Sequence, residues 1–473
     1  MKLRQYQEEL IDMARTSFKI NKRIVLSAPT GAGKTVMFTY IVTEAVRRNK
    51  KILIITHRLE LLKQTGGTFD KFNLETEFIQ AGKDFDKSKR VHIGMIETIN
   101  SRIDKLKDFL NDKELIIIDE CHLQNFNKLF KFINNNTFVL GVTATPHREK
   151  NQECLSKFYT DLVQKIDVPD LIKLGYLSNV KSFGVEINMK ELKLSGLDYD
   201  TENYYTKNRL WEGVIKNYEL HSKGKKTIIF TNSVNSSTQL VYEINKYYKA
   251  KHIDGSTPYN ERQAILEWYD NTPNAILSNC GVLTAGFDQP DIGCVILYRA
   301  TSSLTLFLQM VGRGSRVTDD KKDFVLLDFG NNIQRFGFWQ QPRKWELIKK
   351  KKKTKQGIAP IKICPKCGYI NHMRVVNCEH CGFVFEKQLK ENREVELKEL
   401  MYRNVKGRKV SELDLHELIF LQDNHTLKAS YVWRIVRARG KKITKEYAKM
   451  KGYSTYWLHM QDFNDVIFKD KII

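Results

Sequence analysis

The sequence predicts an α/β protein: two tandem, doubly wound parallel-sheet lobes, then a small cysteine module and a mostly helical basic segment. Three observations carry that reading. Short, almost purely aliphatic runs alternate with longer amphipathic stretches through the first 145 residues, pause, and resume at about residue 227. Continuous apolar runs of that kind suit strands covered on both faces by crossover helices. Four of the eight cysteines fall into two CxxC pairs, at 364–367 and 378–381. The net charge of +23 is concentrated at one end, since residues 343–473 hold 30 Lys and Arg against 15 Asp and Glu. A near-neutral body with a basic final third points to a polyanionic partner, most simply nucleic acid. With 41% hydrophobic residues the chain is too apolar to be disordered.

In the first half the candidate strands are 24–27, 52–56, 92–96, 115–118 and 138–142, with crossover helices such as 36–49 between them. Residues 167–208 show no clean period. Alternation returns at 227–230, 252–253, 275–278, 294–298 and 324–327, and ends after Phe338. The expected organisation is lobe 1 at 1–166, an inter-lobe segment at 167–208 and lobe 2 at 209–340. A basic linker follows at 341–360, with the lysine run 349–353, then the cysteine module at 361–385 and a basic helical domain at 386–473. Met1-Lys2-Leu3-Arg4 opens no secretory leader, and the aliphatic runs are far too short to span a bilayer. Cys121, Cys154, Cys280 and Cys294 are scattered and form no secreted disulfide framework. A soluble intracellular protein with no membrane partner is expected.

Ser27-Ala28-Pro29-Thr30-Gly31-Ala32-Gly33-Lys34-Thr35 lies between a predicted strand and a predicted helix. It meets the phosphate-loop pattern except that Ala28 replaces the first glycine. Gly31 and Gly33 let the backbone curl so that N–H groups face phosphate oxygens, and the helix N-terminus adds its dipole. Lys34 would reach the β- and γ-phosphates of ATP, and the Thr35 hydroxyl would ligate Mg²⁺. About ninety residues on, Asp119-Glu120-Cys121-His122 ends a buried strand. Asp119 is placed to hold the same Mg²⁺ and Glu120 to polarise an attacking water.

Cys364-Pro365-Lys366-Cys367-Gly368 and Cys378-Glu379-His380-Cys381-Gly382 are two knuckles, ten residues apart. Each can present two thiolates on a glycine-closed turn, so together they complete a tetrahedral structural Zn²⁺ shell. His372 and His380 are spare. Two roles for the module stand level: a DNA-gripping element that uses the flanking lysines and an exposed Tyr369, or a folding staple that positions the tail.

With these motifs in place, the chain resembles a superfamily 2 helicase or translocase of the DECH-box kind over about residues 3–338. The further matching residues are Thr143-Ala144-Thr145-Pro146, Ile229-Phe230-Thr231-Asn232, Thr284-Ala285-Gly286-Phe287-Asp288 and Gln309-Met310-Val311-Gly312-Arg313-Gly314-Ser315-Arg316. Leu3-Arg4-Gln5-Tyr6-Gln7 is similar to the adenine-reading segment, with Gln7 as its glutamine. The resemblance implies two RecA-like lobes that close over ATP, with Gly286 and Asp288 also at the nucleotide. It implies that Arg313 and Arg316 are arginine fingers, and that Gln309 and His122 link nucleotide state to closure. Thr143 and Thr145 would couple hydrolysis to strand movement. His57, Arg58, Thr98, Thr231 and Thr284 would line the nucleic-acid track. Thr-Ala-Thr-Pro-x-Arg at 143–148 and Gly286-Phe287-Asp288-Gln289-Pro290 are similar to the DNA repair and restriction-translocase groups, which favours DNA over RNA. Asp328-Phe329-Gly330-Asn331-Asn332 ahead of a zinc module is similar to phage and bacterial helicases, implying the cytoplasm of a bacterial or phage-infected cell.

In the tail, Arg434, Arg437, Arg439, Lys441 and Lys442 interleave with Tyr431, Trp433, Tyr447, Tyr453, Tyr456 and Trp457. Such mixtures suit phosphate contacts plus base stacking; Trp433 is expected in a small core, with 434–442 on phosphate. The competing functions are an RNA helicase, a duplex translocase or branch remodeller, and, from another class, a zinc-dependent nucleic-acid-binding module with weak ATPase.

Overall fold

The computed structural model describes residues 3–57, 69, 74–148, 153–185, 192–196, 198–207, 210–284, 287–347, 361–385, 408–423 and 427–453. Residues up to Phe385 form one compact unit and those from Glu386 a second.

Lobe 1 contributes strands β1 (Arg23–Ser27), β2 (Ile52–Thr56), β3 (Glu77–Ile79), β4 (Val91–Met95), β5 (Leu115–Asp119), β6 (Phe138–Thr143) and β7 (Asp161–Val163). They pair in parallel in the order β3-β4-β2-β5-β6-β1-β7. Alternate residues feed the two faces: Leu115 and Ile117 enter one core, Ile116 and Ile118 the other. Both faces need apolar side chains, so the strand reads as an unbroken aliphatic run. Each such side chain contributes about 1.5–3 kcal/mol on burial.

Lobe 2 contains β8 (Asn179–Gly184), β11 (Thr227–Thr231), β12 (Ala250–Ile253), β13 (Ile276–Cys280), β14 (Cys294–Tyr298) and β15 (Asp323–Asp328). Its parallel order is β12-β13-β11-β14-β15-β8. The 167–208 stretch, expected as an inter-lobe segment, thus includes the outermost strand of this sheet. β8 escapes the sequence pattern because Asn179 and Lys181 are exposed and its apolar residues, Val180 and Phe183, form no continuous run. Downstream of β8, β9 (Lys193–Ser195) and β10 (Asp198–Asp200) form a hairpin. It is fastened to lobe 2 by the fork of Arg299 on Asp198 at 2.6 and 2.7 Å.

The cysteine module is a hairpin of β16 (Ile361–Ile363) and β17 (Ile370–His372) laid against β8. Gly184 N–H donates to the Gly368 carbonyl at 3.0 Å, and Ile370 fills the space that a side chain at position 184 would need. Tyr369, expected to be exposed, is half-buried, with its ring edge-on to Phe183 at 5.3 Å and stacked on His380. Covering a sheet edge removes an open row of backbone donors and acceptors, so this contact favours the staple.

In the second unit the helices Leu415–Asp423, Ala429–Ala438 and Lys441–Met450 enclose Leu418, Leu421, Val432, Val436 and Tyr447. Trp433 packs half-buried against that core, as expected. Arg439 is spent internally, donating to the carbonyls of Leu413 (2.6 Å) and Ser411 (2.9 Å), whereas Arg434, Lys441 and Lys442 are exposed. Tyr456, Trp457 and the lysine run 349–353 lie outside the described residues. Among the described residues no helix is long and apolar enough to cross a membrane.

Candidate active site

Strand order builds the site. β5, β6 and β1 are neighbours, so the segments leaving their C-terminal ends (119–122, 143–145 and 27–35) converge on one edge of lobe 1. Ligands of open parallel sheets bind beyond these ends. A cavity of about 750 Å³ lies at the opposite end beside Leu115 and Phe138, the first residues of β5 and β6.

In the loop after β1, Gly31 (φ +84°) and Gly33 (φ +77°) are left-handed, a conformation that other residues resist. A Cβ on Gly33 would come within 2.6 Å of the Gln7 amide nitrogen. Ala28 in place of glycine is harmless, because its N–H simply extends the ladder to the Thr143 carbonyl at 3.2 Å. The loop is braced from the first helix. Tyr6 Oη (2.8 Å) and Gln7 Nε2 (3.0 Å) both donate to the Ala32 carbonyl, and Gln7 Oε1 accepts from Arg4 N–H. Gln7 is therefore tied to the loop, with its amide already engaged on both sides. Lys34 opens the helix Lys34–Arg47 and bends back, Nζ lying 3.3 Å from the carbonyls of Ala28 and Pro29. Burial lowers its pKa, against the opposing charges of Glu120 and Asp119. Pro29, Thr30 and Thr35 flank it, half-buried.

Asp119 is buried at the end of β5, and burial together with Glu120 pushes its carboxyl up. That is the electrostatic position of a group suited to a cation. Glu120, at φ +51°, turns out of the strand. Burial would raise it, yet the His122 hydrogen bond and nearby Lys34 outweigh this and keep it ionised. His122 Nδ1 lies 2.8 Å from Thr143 Oγ1 and 3.3 Å from Glu120 Oε2. Thr143 donates to Glu120 at 3.4 Å and accepts from Thr145 N–H at 3.0 Å. One network thus joins Glu120, expected to polarise water, to His122, Thr143 and Thr145, expected to couple hydrolysis to movement.

Lobe 2 approaches this edge closely. A Cβ on Gly312 would sit 3.0 Å from Thr30, and one on Gly31 would sit 3.5 Å from Ser315 Oγ. Arg313 is buried and donates to the carbonyls of Phe287 (2.5 Å) and Thr284 (2.6 Å). Arg316 pairs with Asp288, and burial lowers its pKa to about 10. Both expected fingers are therefore engaged here by Thr284, Phe287 and Asp288. Gln309 lies half-buried on the helix Leu304–Val311.

Among the described residues, those expected at the nucleic acid are not gathered into one exposed track. Thr98, Thr231 and Thr284 are buried, and the Thr231 hydroxyl is bound inside lobe 2 to the carbonyls of Ser233 and Asn279. His57 is half-buried near Glu120, whose pKa its charge lowers. Arg58 and Gly286 lie outside the described residues.

Two positioning groups were passed over in the sequence. Arg148, 3% exposed, clamps the strand-end loop by donating to the carbonyls of His122 (2.7 Å), Leu123 (2.9 Å) and Cys121 (3.3 Å). Asp328 accepts from Gly330 N–H, Asn332 Nδ2 and Ile333 N–H, while Asn332 also binds the backbone of Arg299 and Thr301 ahead of the Gln309 helix. Their signals, the Arg of Thr-Ala-Thr-Pro-x-Arg and the Asp-Phe-Gly-Asn-Asn run, were visible only as likeness.

In the cysteine module, Cys364 and Cys381 Sγ are 3.7 Å apart, as are Cys367 and Cys378, and all four lie within 4.8 Å of one another. Tetrahedral zinc with Zn–S bonds of about 2.3 Å needs sulfurs about 3.8 Å apart, so the residues fit. Gly368 (φ +71°) and Gly382 (φ +70°) close the two turns, and Asn371 donates to Cys378 Sγ. His372 and His380 stand outside the cluster.

Two family models match: "Type III restriction enzyme, res subunit" over residues 1–148, and "Helicase conserved C-terminal domain" over residues 207–318. A 51.5 kDa protein of a Lactococcus phage is 27% identical, across 88% of this chain and 89% of its own. IRC3 of Saccharomyces cerevisiae, which carries the name of an ATP-dependent helicase, is 29% identical across 69% of this chain; the match spans 51% of IRC3, about half its length. The DNA 3′-5′ translocase XPB2 of Sulfurisphaera tokodaii is 24% identical across 69% of this chain and 81% of XPB2. With one family model on each parallel-sheet lobe, the chain carries a restriction-enzyme res-subunit domain followed by a helicase C-terminal domain, which supports its reading as a superfamily 2 helicase or translocase.

Proposed function

We propose that the chain is a nucleic-acid-stimulated ATP hydrolase that moves along or remodels DNA. The observation that carries this is the seating of Gly312 and Ser315 of lobe 2 on Thr30 and Gly31 of the phosphate loop. A nucleotide site shared by two lobes changes their relation when its occupant changes, and movement along a polymer requires that. Lys34 and the loop N–H groups would hold the phosphates, Thr35 and Asp119 would hold Mg²⁺, and Glu120 would orient the attacking water. Bound Mg²⁺ supplies neutralisation of phosphate charge. Arg313 and Arg316 reach a phosphate only by exchanging their present partners. Gln309 and the His122–Thr143–Thr145 network relay closure. DNA as the polymer is supported by the basic final third and by the name of XPB2.

ATP turnover should rise at least about tenfold with single-stranded or duplex DNA and much less with single-stranded RNA. Stimulation by RNA alone overturns the DNA assignment; equal stimulation by duplex selects a translocase over a simple strand-tracking helicase.

We also assign a structural Zn²⁺ to Cys364, Cys367, Cys378 and Cys381. Metal analysis should find one Zn²⁺ per chain, lost in Cys364→Ser/Cys367→Ser. Because such sites carry about 10–16 kcal/mol of apparent folding energy, the variant should also show rapid hydrogen exchange over 361–385. A metal-free wild type with a protected module refutes the site.

A further inference from the structure

Beyond the motifs, residues 337–347 cross from lobe 2 back to lobe 1. Gly337 (φ +77°) makes the turn, and a Cβ there would collide with Gln341. Trp339 is buried in lobe 2, edge-on to Phe324, and its Nε1 donates to the Leu308 carbonyl at 3.3 Å, one residue before Gln309. The Arg343 guanidinium then stiffens the crossing by donating to four carbonyls, those of Phe336, Phe338, Trp339 and Gln341. On the lobe 1 side, Gln164 Nε2 donates to the Arg343 carbonyl at 3.2 Å. The Trp345 ring lies 6.4 Å from that of His147, and Leu347 packs on the lobe 1 core. Thr30, Thr145, Leu308, Trp339 and Trp345 line a cavity of only about 40 Å³, so little slack separates the crossing segment from the phosphate loop.

We propose that 337–347 is an interlobe strap whose Trp345 end positions the Thr145–His147 turn of lobe 1 while its Trp339 end holds the Gln309 helix of lobe 2. The strap is not itself catalytic; it fixes where the coupling turn stands relative to the opposite lobe. Its role in turnover rests on the proposed function, whereas its role as a tie does not. Movement of lobe 2 is transmitted to Thr145, and through it to Thr143 and Glu120, by a segment that Arg343 prevents from stretching.

Two variants of the full chain test this: Trp345→Ala, and Gln164→Ala, which removes the hydrogen bond to the Arg343 carbonyl together with one to Asp167 and leaves the cores intact. Amide exchange should accelerate at least about tenfold over 143–148 and also rise over 304–311, while the interior of β5 stays protected. DNA-stimulated kcat should fall about tenfold with KM for ATP changed less than about twofold. Unchanged exchange over 143–148 in folded variants overturns the tie. Accelerated exchange with undiminished kcat, or a change confined to KM, overturns the positioning role. If the wild type shows no turnover, the proposed function fails and exchange alone decides the strap.

Discussion

Lys34→Ala should reduce ATP turnover by at least about a hundredfold, the scale on which one preorganised donor to developing phosphate charge acts. The side chain sits where the loop, the helix N-terminus and the strand-end carboxylates meet, folded back onto Ala28 and Pro29. Half-buried and lowered in pKa by that burial, the amine gains from any anion that replaces its two carbonyl partners. Alanine is a good helix former at the same position, and Gly31, Gly33 and the bracing from Tyr6 and Gln7 do not depend on the lysine. The variant should stay folded and still bind DNA while losing both affinity for ATP and turnover. Steady-state ATPase with a DNA-binding control checks this; undiminished turnover removes the phosphate-loop assignment.

What the sequence made legible follows from burial. β1, β2, β5 and β11 are covered on both faces, so their aliphatic runs name them directly. β8 is an edge strand with alternate positions in solvent, and β3 and β7 are three residues long; none leaves a continuous apolar trace. The motif residues are legible because the chemistry proposed for them fixes residue type and spacing, as at Lys34, Asp119 and the four cysteines. Side-chain destinations are not. Nothing in the spacing of motif residues says that Arg313 spends its guanidinium on Thr284 and Phe287, that Tyr369 turns inward onto Phe183, or that Thr231 is sealed inside lobe 2. The strap was invisible for the same reason. It has no helix or strand and no period, and its meaning lies in Trp339, Trp345 and the Arg343 carbonyl meeting partners far away in sequence.

Glu120→Gln should separate binding from chemistry, leaving ATP bound but lowering kcat by about 10²–10⁴, the range for loss of a positioned general base. Glutamine keeps the length of the side chain and an acceptor oxygen for Thr143, so the network to His122 and Thr145 can survive the change. What it lacks is the negative charge that His122 and Lys34 sustain against burial, and with it the ability to take a proton from water. Removing that charge also relieves Asp119, whose carboxyl Glu120 helps to push up, so affinity for a Mg²⁺–nucleotide should hold. Lys34→Ala and Glu120→Gln therefore diverge: the first weakens nucleotide binding and turnover together, the second only turnover. A nucleotide-binding titration beside single-turnover hydrolysis distinguishes them. Normal hydrolysis in Glu120→Gln would take the carboxylate out of the reaction and leave the His122–Thr143 network as a structural bond within lobe 1.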